Sequence, residues 1–212
     1  MSRVVKKPEV RKEELIDIAL KQFLHNGYEN TSVKDIYMEA NGSFGMFYHH
    51  FKSKDEIFTL AMDKLVNMFI NKLSDILLNN KVPYKQRYSQ AIISLIEFLD
   101  GRDKVISFKR SEMDISVFRL LSLRIISELI PIVQQFLEIG SEKGLIHIEN
   151  THQAAIIMTY GIYGIIREEG LRMASNKNAL AVLSSLSPII AKLLDSEKEL
   201  FEMHIKEDEE IK

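Results

Sequence analysis

The sequence has 212 residues, with 28 Lys and Arg against 30 Asp and Glu (net charge -2), no Cys, no Trp, nine Gly and four Pro. Folds of many short strands need turn residues every ~8–12 positions, so this scarcity of Gly and Pro argues against β-sandwiches and barrels and predicts a chain built of helices. The lack of Cys excludes disulfide frameworks, thiolate metal sites and Cys nucleophiles, and suits a reducing cytoplasm.

A chain of this length buries roughly 70% of the surface its unfolded form exposes, enough for a core without staples. No apolar run follows Arg3, Lys6 and Lys7, so no secretory signal is expected. The longest uncharged stretch, Asn150 to Ile166, is 17 residues with several polar ones; it reads as a buried helix, and no membrane partner is expected. The charge of -2, which by itself speaks against a nucleic-acid partner, is unevenly spread. Residues 1–12 carry Arg3, Lys6, Lys7, Arg11 and Lys12 against Glu9, a basic arm of +4, whereas 195–212 sum to -5.

Pro8 stands where a first helix can begin. Leu15, Ile18, Ala19 and Phe23 then form one stripe of a 3.6-residue period, and Asn26-Gly27 supplies its stop. Thr31 or Ser32 can cap a second helix carrying Val33, Ile36, Tyr37 and Ala40, which Asn41-Gly42 ends. Ser43 is the N-cap of a third short helix with Phe47 and Phe51 on its inner face. Ser53-Lys54-Asp55-Glu56 reads as a capping box that opens a long fourth helix reaching Asn79-Asn80. Three short helices with a tight Gly-containing turn between the second and third describe a helix-turn-helix.

The run Asn26-Gly27-Tyr28-Glu29-Asn30-Thr31-Ser32-Val33-Lys34-Asp35-Ile36, followed by Ala40-Asn41-Gly42-Ser43-Phe44-Gly45-Met46-Phe47-Tyr48-His49-His50-Phe51-Lys52-Ser53-Lys54-Asp55-Glu56-Ile57-Phe58, strongly resembles the N-terminal domain of tetracycline-repressor-type (TetR/AcrR family) transcriptional regulators. The resemblance covers residues 9 to 60. It implies an all-α fold, with a helix-turn-helix DNA-binding domain over 1–53 and a larger helical ligand-binding and dimerisation domain over 54–212. Two departures stand out. Asn41-Gly42 reverses the usual order of Gly and an apolar residue, although Asn tolerates the left-handed conformation. Phe44 and Met46 replace residues that are commonly polar, which favours apolar contact with thymine methyls over hydrogen-bonded base readout.

Phosphate backbones are bound by hydroxyls, cations and helix N-termini, features that converge at Thr31, Ser32, Ser43, Tyr48, His49 and Lys54. Phe44, Met46 and Lys34 are the candidates for base edges. Gly45, which costs a helix about 1 kcal/mol, supports close approach to DNA. Ser32 and Ser43 equally suit plain capping, and His49 or His50 can instead pack beside the next helix; His50 shares the inward spacing of Phe47 and Phe51.

Beyond residue 60 the pattern predicts helices over 84–100, 103–113, 115–142, 150–174 and 177–194, with Pro131 kinking or dividing the third. By the resemblance, the last two form a four-helix dimer interface. The apolar spacing assigns Ile156, Tyr160, Tyr163, Gly164 and Arg167 to that face, with Ile190 and Leu194 on the next helix; an ordinary core is the other reading. The resemblance also implies an effector pocket, for which Phe98, Phe108, Met113, Phe118, Met158, Tyr160 and Tyr163 are candidates suited to an apolar or aromatic small molecule. Each of these residues suits an apolar core as well.

The expected protein is therefore a cytoplasmic, ligand-responsive homodimeric repressor that binds a palindromic double-stranded operator, with no cofactor, no metal and no catalytic residue. The alternatives are a helical protein-binding adaptor or a helical-bundle metalloenzyme. For the latter, Glu149-Asn150-Thr151-His152 has the Glu-x-x-His spacing of di-iron bundles, but it occurs once where such sites need it twice.

Overall fold

The computed structural model describes residues 7–106, 112–169 and 176–202, with 100–106, 112–119 and 176 described by backbone alone. Among the described residues it is all-α: α1 (Pro8–Asn30), α2 (Val33–Glu39), α3 (Phe44–His50), α4 (Lys54–Leu77), α5 (Tyr84–Ile106), α6 (Glu112–Glu142), α7 (Thr151–Glu168), α8 (Asn176–Ser184), α9 (Ser187–Leu193) and one 3-10 turn at Lys198–Leu200. Phe108 lies outside the described residues, as do the side chains of Met113 and Phe118.

Packing divides the chain into two compact units. The first takes the chain up to Asn67 with Gly101–Leu121; the second takes Met68–Asp100 with the chain from Ser122 onward. In the first, α2 packs against α1 and α3. Leu15, Ala19, Phe23, Ile36, Phe47, Phe51, Ile57 and Ala61 are almost entirely buried, so the predicted inner faces of four helices meet in one core. A buried Phe or Leu contributes roughly 1.5–3 kcal/mol, so these side chains hold the short helices, which could not persist alone. Lys64 of α4 adds ion pairs to Glu13 and Asp17 of α1. The hydrogen bond that Lys64 donates to Asp17, with a smaller effect from the one it donates to Glu13, raises the Lys64 pKa despite the opposing effect of partial burial.

In the second unit, the Tyr84 ring stacks on Phe136 at 4.2 Å and its hydroxyl donates to the Phe136 carbonyl at 3.1 Å. Burial raises the Tyr84 pKa well above the usual phenol value, so the hydroxyl stays a donor. Arg87, fully buried, donates from Nε to the Val82 carbonyl at 2.8 Å and from Nη1 to the Leu77 carbonyl at 3.3 Å. It thus satisfies the end of α4 and the following loop with one cation, which the C-terminal end of a helix dipole favours.

Three predicted boundaries change. Gly101 does not separate two helices, because α5 runs through it to Ile106. Pro131 does not divide α6, which runs through it from Glu112 to Glu142 with the proline on an exposed position. The single helix expected over 177–194 is two, α8 and α9, because Pro188 cannot donate into a preceding turn and instead takes a place in the first turn of α9. The segment Leu120–Glu142 within α6 is long and apolar enough by composition to span a membrane. It nevertheless packs Ile125, Leu129, Ile132, Val133 and Ile139 against the unit's core and carries the Arg124–Glu128 ion pair at 2.7 Å.

Replacing Arg87 with Ala leaves the buried Leu77 carbonyl and the part-buried Val82 carbonyl without their donors. The expected loss is about 3 kcal/mol, read as a lower urea midpoint at unchanged m-value. A loss under about 1 kcal/mol would show that these carbonyls find other partners.

Candidate nucleic-acid interface

The interface is built from the break in α1. Gly27 has φ 80° and ψ 167°, a backbone that favours glycine, and it breaks the helix at the position predicted for its stop, a short last turn following to Asn30. The turn lays Tyr28 against Phe23 (5.8 Å, stacked) and Phe58 (4.8 Å, edge-on). The Tyr28 hydroxyl donates to the Asp55 carboxylate, and the Lys54 ammonium lies 4.0 Å above the ring centroid. Burial lowers the Lys54 pKa, opposed by the nearby charges of Glu29 and Asp55. The Ser53 hydroxyl accepts the Glu56 amide at 3.1 Å as expected, while the Glu56 carboxylate reaches one residue further back than predicted, to the Lys52 amide at 2.6 Å.

Thr31 is corrected. It is fully buried, and its hydroxyl donates to the carbonyls of Gly27 (2.8 Å) and Gln22 (3.2 Å), so it stitches the end of α1 and is closed to DNA. Ser32 is the N-cap of α2, in a reciprocal box with Asp35: Ser32 Oγ accepts the Asp35 amide at 3.1 Å and the Asp35 carboxylate accepts the Ser32 amide at 2.9 Å. The Ser32 hydroxyl also donates to the Asp35 carboxylate at 2.6 Å, and this bond, followed by the one from the Ser32 amide, holds the Asp35 carboxyl below the usual range. Ser43 caps α3 through the Met46 amide at 3.3 Å. Both serines remain exposed.

The reversed Asn-Gly pair at the turn has a physical reason. Asn41 takes the left-handed conformation (φ 51°). The Gly42 amide donates to the Tyr37 carbonyl at 2.7 Å and the Asn41 amide to Met38 at 2.9 Å, the two bonds of a Schellman ending. Gly42 is needed for a different cause: a Cβ there would overlap Met46 Sδ at 2.7 Å and crowd the Tyr37 carbonyl at 3.2 Å. The Met46 thioether thus fills the position where the apolar turn residue is missing. Met46 is half-buried and packs inward, which corrects its expected role at base edges.

The outward surface of the two helices presents Ser32, Lys34 and Met38 from α2, then Ser43, Phe44, Gly45, Tyr48 and His49 around α3. Phe44 is 64% and Tyr48 44% exposed, and their rings lie 4.4 Å apart. His50 faces inward; burial depresses its pKa, aided by the charges of His49, Lys12 and Arg11. Arg11 donates to the Ala40 carbonyl at the end of α2 (2.9 Å) and pairs with Glu14, while Lys12 lies 5.9 Å over the Phe51 ring. The roles of Arg11 and Tyr28 escaped the sequence reading. Their signal was a cation four positions into a helix that starts at Pro8 and an aromatic directly after the helix-stopping glycine.

In the second unit, Ile190 and Leu194 are buried in its own core, which corrects their assignment to a dimer face. Met158 is also core, and Phe98 stacks on Phe69 at 4.0 Å. Tyr160 is 49% exposed, which removes it from an interior lining and leaves it on the surface. Ile156, Tyr163 and Gly164 are half-buried and Arg167 exposed. His152 sits in the first turn of α7, its Nδ1 2.8 Å from Gln134 Oε1. Among the described residues no group of three or more His, Cys, Asp or Glu is placed to hold a metal.

Two short helices joined by a Schellman turn, the second with an exposed outer face and a buried inner one, define a helix-turn-helix module. Residues 15–61 match the family model of bacterial regulatory proteins, tetR family. The chain is 27% identical over 153 residues to the uncharacterized HTH-type transcriptional regulator YerO of Bacillus subtilis, covering 71% of this chain and 47% of that one. It therefore spans about half the length of that relative. It is 28% identical over 137 residues to the HTH-type transcriptional repressor DhaR of a Mycobacterium species, covering 64% and 69%. A solved transcriptional regulator from Cytophaga hutchinsonii has the same fold at TM-score 0.67 and 15% identity, covering 86% of this chain and 96% of that one. The family match thus falls on the N-terminal domain, from within α1, through the helix-turn-helix, into the first turns of α4.

Gly42→Ala should cost about 1 kcal/mol and expel the Met46 side chain from the turn. In a Met46→Ala background the same change should cost clearly less, a coupling of at least ~0.5 kcal/mol in a double-mutant cycle. Additive effects would remove Met46 as the reason for the glycine.

Proposed function

We propose that the chain is a sequence-specific DNA-binding transcriptional regulator, a homodimeric repressor that binds a palindromic operator and responds to a small apolar or aromatic effector. In this reading residues 1–53 bind DNA, 54–212 dimerise and take the effector, and the protein works in the cytoplasm, where chromosomal DNA lies. The relative DhaR, a named repressor, supports the direction of control.

Lys54 is the observation that carries the reading. It is a partly buried cation in the first turn of the 24-residue α4, where the helix dipole favours anions and burial already disfavours its charge. A phosphate placed there answers both. Ser32, Ser43, the Tyr48 hydroxyl and His49 surround it in the proposal as further backbone contacts, and Gly45 supports close approach: a Cβ there would meet nothing within 4 Å, so the fold itself gives no reason for glycine. Footprinting on DNA flanking the chain's own gene tests the reading as a whole, with two symmetric protected half-sites expected. Lys54→Ala should then weaken binding to all sequences alike and reduce the slope of log K against log salt by about one per half-site. An unchanged slope would take Lys54 out of the interface.

Dimerisation is assigned to α7. Ile157 (55% exposed), Tyr160, Gly161 and Gly164 follow i, i+3, i+4, i+7, and Cβ atoms added at the two glycines would meet nothing within 4 Å. An apolar stripe of this kind, with small residues that admit a second helix, suits a partner subunit. Ile157→Asp should convert a dimer to monomers in sedimentation velocity without loss of helical circular dichroism. A variant that stays dimeric moves the interface elsewhere. The effector is assigned to the apolar interior of the second unit, with Phe98, Met158 and Tyr163 as the remaining described candidates. Its binding and operator binding would weaken each other by one common factor.

A further inference from the structure

We propose that the ring pair Phe44–Tyr48 reads the operator directly, by seating the 5-methyl group of a thymine in the major groove of each half-site. This rests on the DNA-binding reading above and deepens it by naming what the recognition helix recognises.

The inference follows from what each residue of α3 is doing. Phe47 is fully buried, and His50 faces inward. Met46 is tucked against Gly42, and the Ser43 hydroxyl is engaged with the Met46 amide. Gly45 has no side chain. What α3 presents outward is therefore Phe44, Tyr48 and His49. Its sequence, FGMFYHH, contains no Arg, Lys, Asn or Gln, the side chains that make paired hydrogen bonds to guanine or adenine edges. The outward surface of its first turn is instead a phenyl ring 64% exposed, resting 4.4 Å from the ring of the residue one turn on. Tyr48 packs edge-on against the buried Phe47 at 5.3 Å, so the two outer rings, tilted 44° to each other, form one continuous aromatic surface.

In the major groove one exposed group is apolar, the thymine methyl. An aromatic surface cannot satisfy the donors and acceptors of the other base edges, and covering them would leave them unpaired, so it discriminates by rejecting as well as by contact. Burying one methyl-sized group changes an equilibrium by about fourfold, and two symmetric half-sites multiply this to about fifteenfold.

The test starts by selecting bound duplexes from a random library with the full-length protein. Each thymine of the selected site is then replaced by deoxyuridine, which removes the methyl and leaves every hydrogen-bonding group in place. One position per half-site should lose about fourfold in affinity, and about fifteenfold when both are replaced. At that position a 5-methylcytosine–guanine pair should bind more tightly than a cytosine–guanine pair. Phe44→Ala, at an exposed site, should keep its helical circular dichroism and its salt slope while binding thymine and deoxyuridine sites equally. Selected duplexes indifferent to deoxyuridine, or a Phe44→Ala protein that still discriminates, would overturn this inference alone. Selection of no duplex would overturn it together with the DNA-binding reading.

Discussion

The left-handed backbone at Gly27 is the constraint on which the N-terminal unit depends. With φ at 80° the helical backbone of α1 is interrupted, and three consequences follow from that one residue. Tyr28 swings onto Phe23 and Phe58, the Thr31 hydroxyl closes onto the Gly27 and Gln22 carbonyls, and Ser32 is left in extended backbone, where it can cap α2. The direction of α2 fixes the Schellman turn at Asn41, and that turn sets the outward side of α3. A side chain at position 27 would strain the backbone and disturb each step.

The unit also resolves a charge problem. Residues 1–60 hold nine basic and nine acidic side chains, no one's description of a basic stripe. Yet most of the acids are spent internally: Glu13 and Asp17 on Lys64, Glu14 on Arg11, Asp35 on Ser32, Glu39 on Gln22 and Lys21, Asp55 on Tyr28, Glu56 on the Lys52 amide. Those pairings turn acidic groups into caps and braces. The composition of the domain therefore says little about the potential over α3, where hydroxyl, aromatic and imidazole groups are presented.

Much of this was legible in the sequence because it rests on local chemistry. The helix stop at Gly27, the caps at Ser32, Ser43 and Ser53, and the inward Phe47 and Phe51 follow from periodicity and hydrogen-bonding capacity over a few residues. What escaped was set by tertiary contact. Thr31 and Ser32 look alike as caps, and only the proximity of the Gln22 and Gly27 carbonyls decides that Thr31 turns inward. Met46 follows the helical pattern of an exposed residue, yet the missing side chain at Gly42 draws it in. Ile190 and Leu194 carry the apolar spacing of an interface, but the same spacing serves a core, and periodicity alone does not distinguish a partner subunit from the chain's own helices. Gly101 failed as a breaker because a helix held by packing tolerates one glycine, whereas Pro188 succeeded because it lacks a donor.

The ring beneath Lys54 has a further consequence, in the ordering of the side chain. A free lysine carries about 2 kcal/mol of rotamer entropy, which a binding event must normally remove. Here the ammonium already rests over the Tyr28 ring, and Tyr28 is itself held by Phe23, Phe58 and Asp55. The cost of restraining that chain is thus met when the domain folds, in every molecule and whether or not anything is bound. An approaching anion meets a cation that is held in place before it arrives.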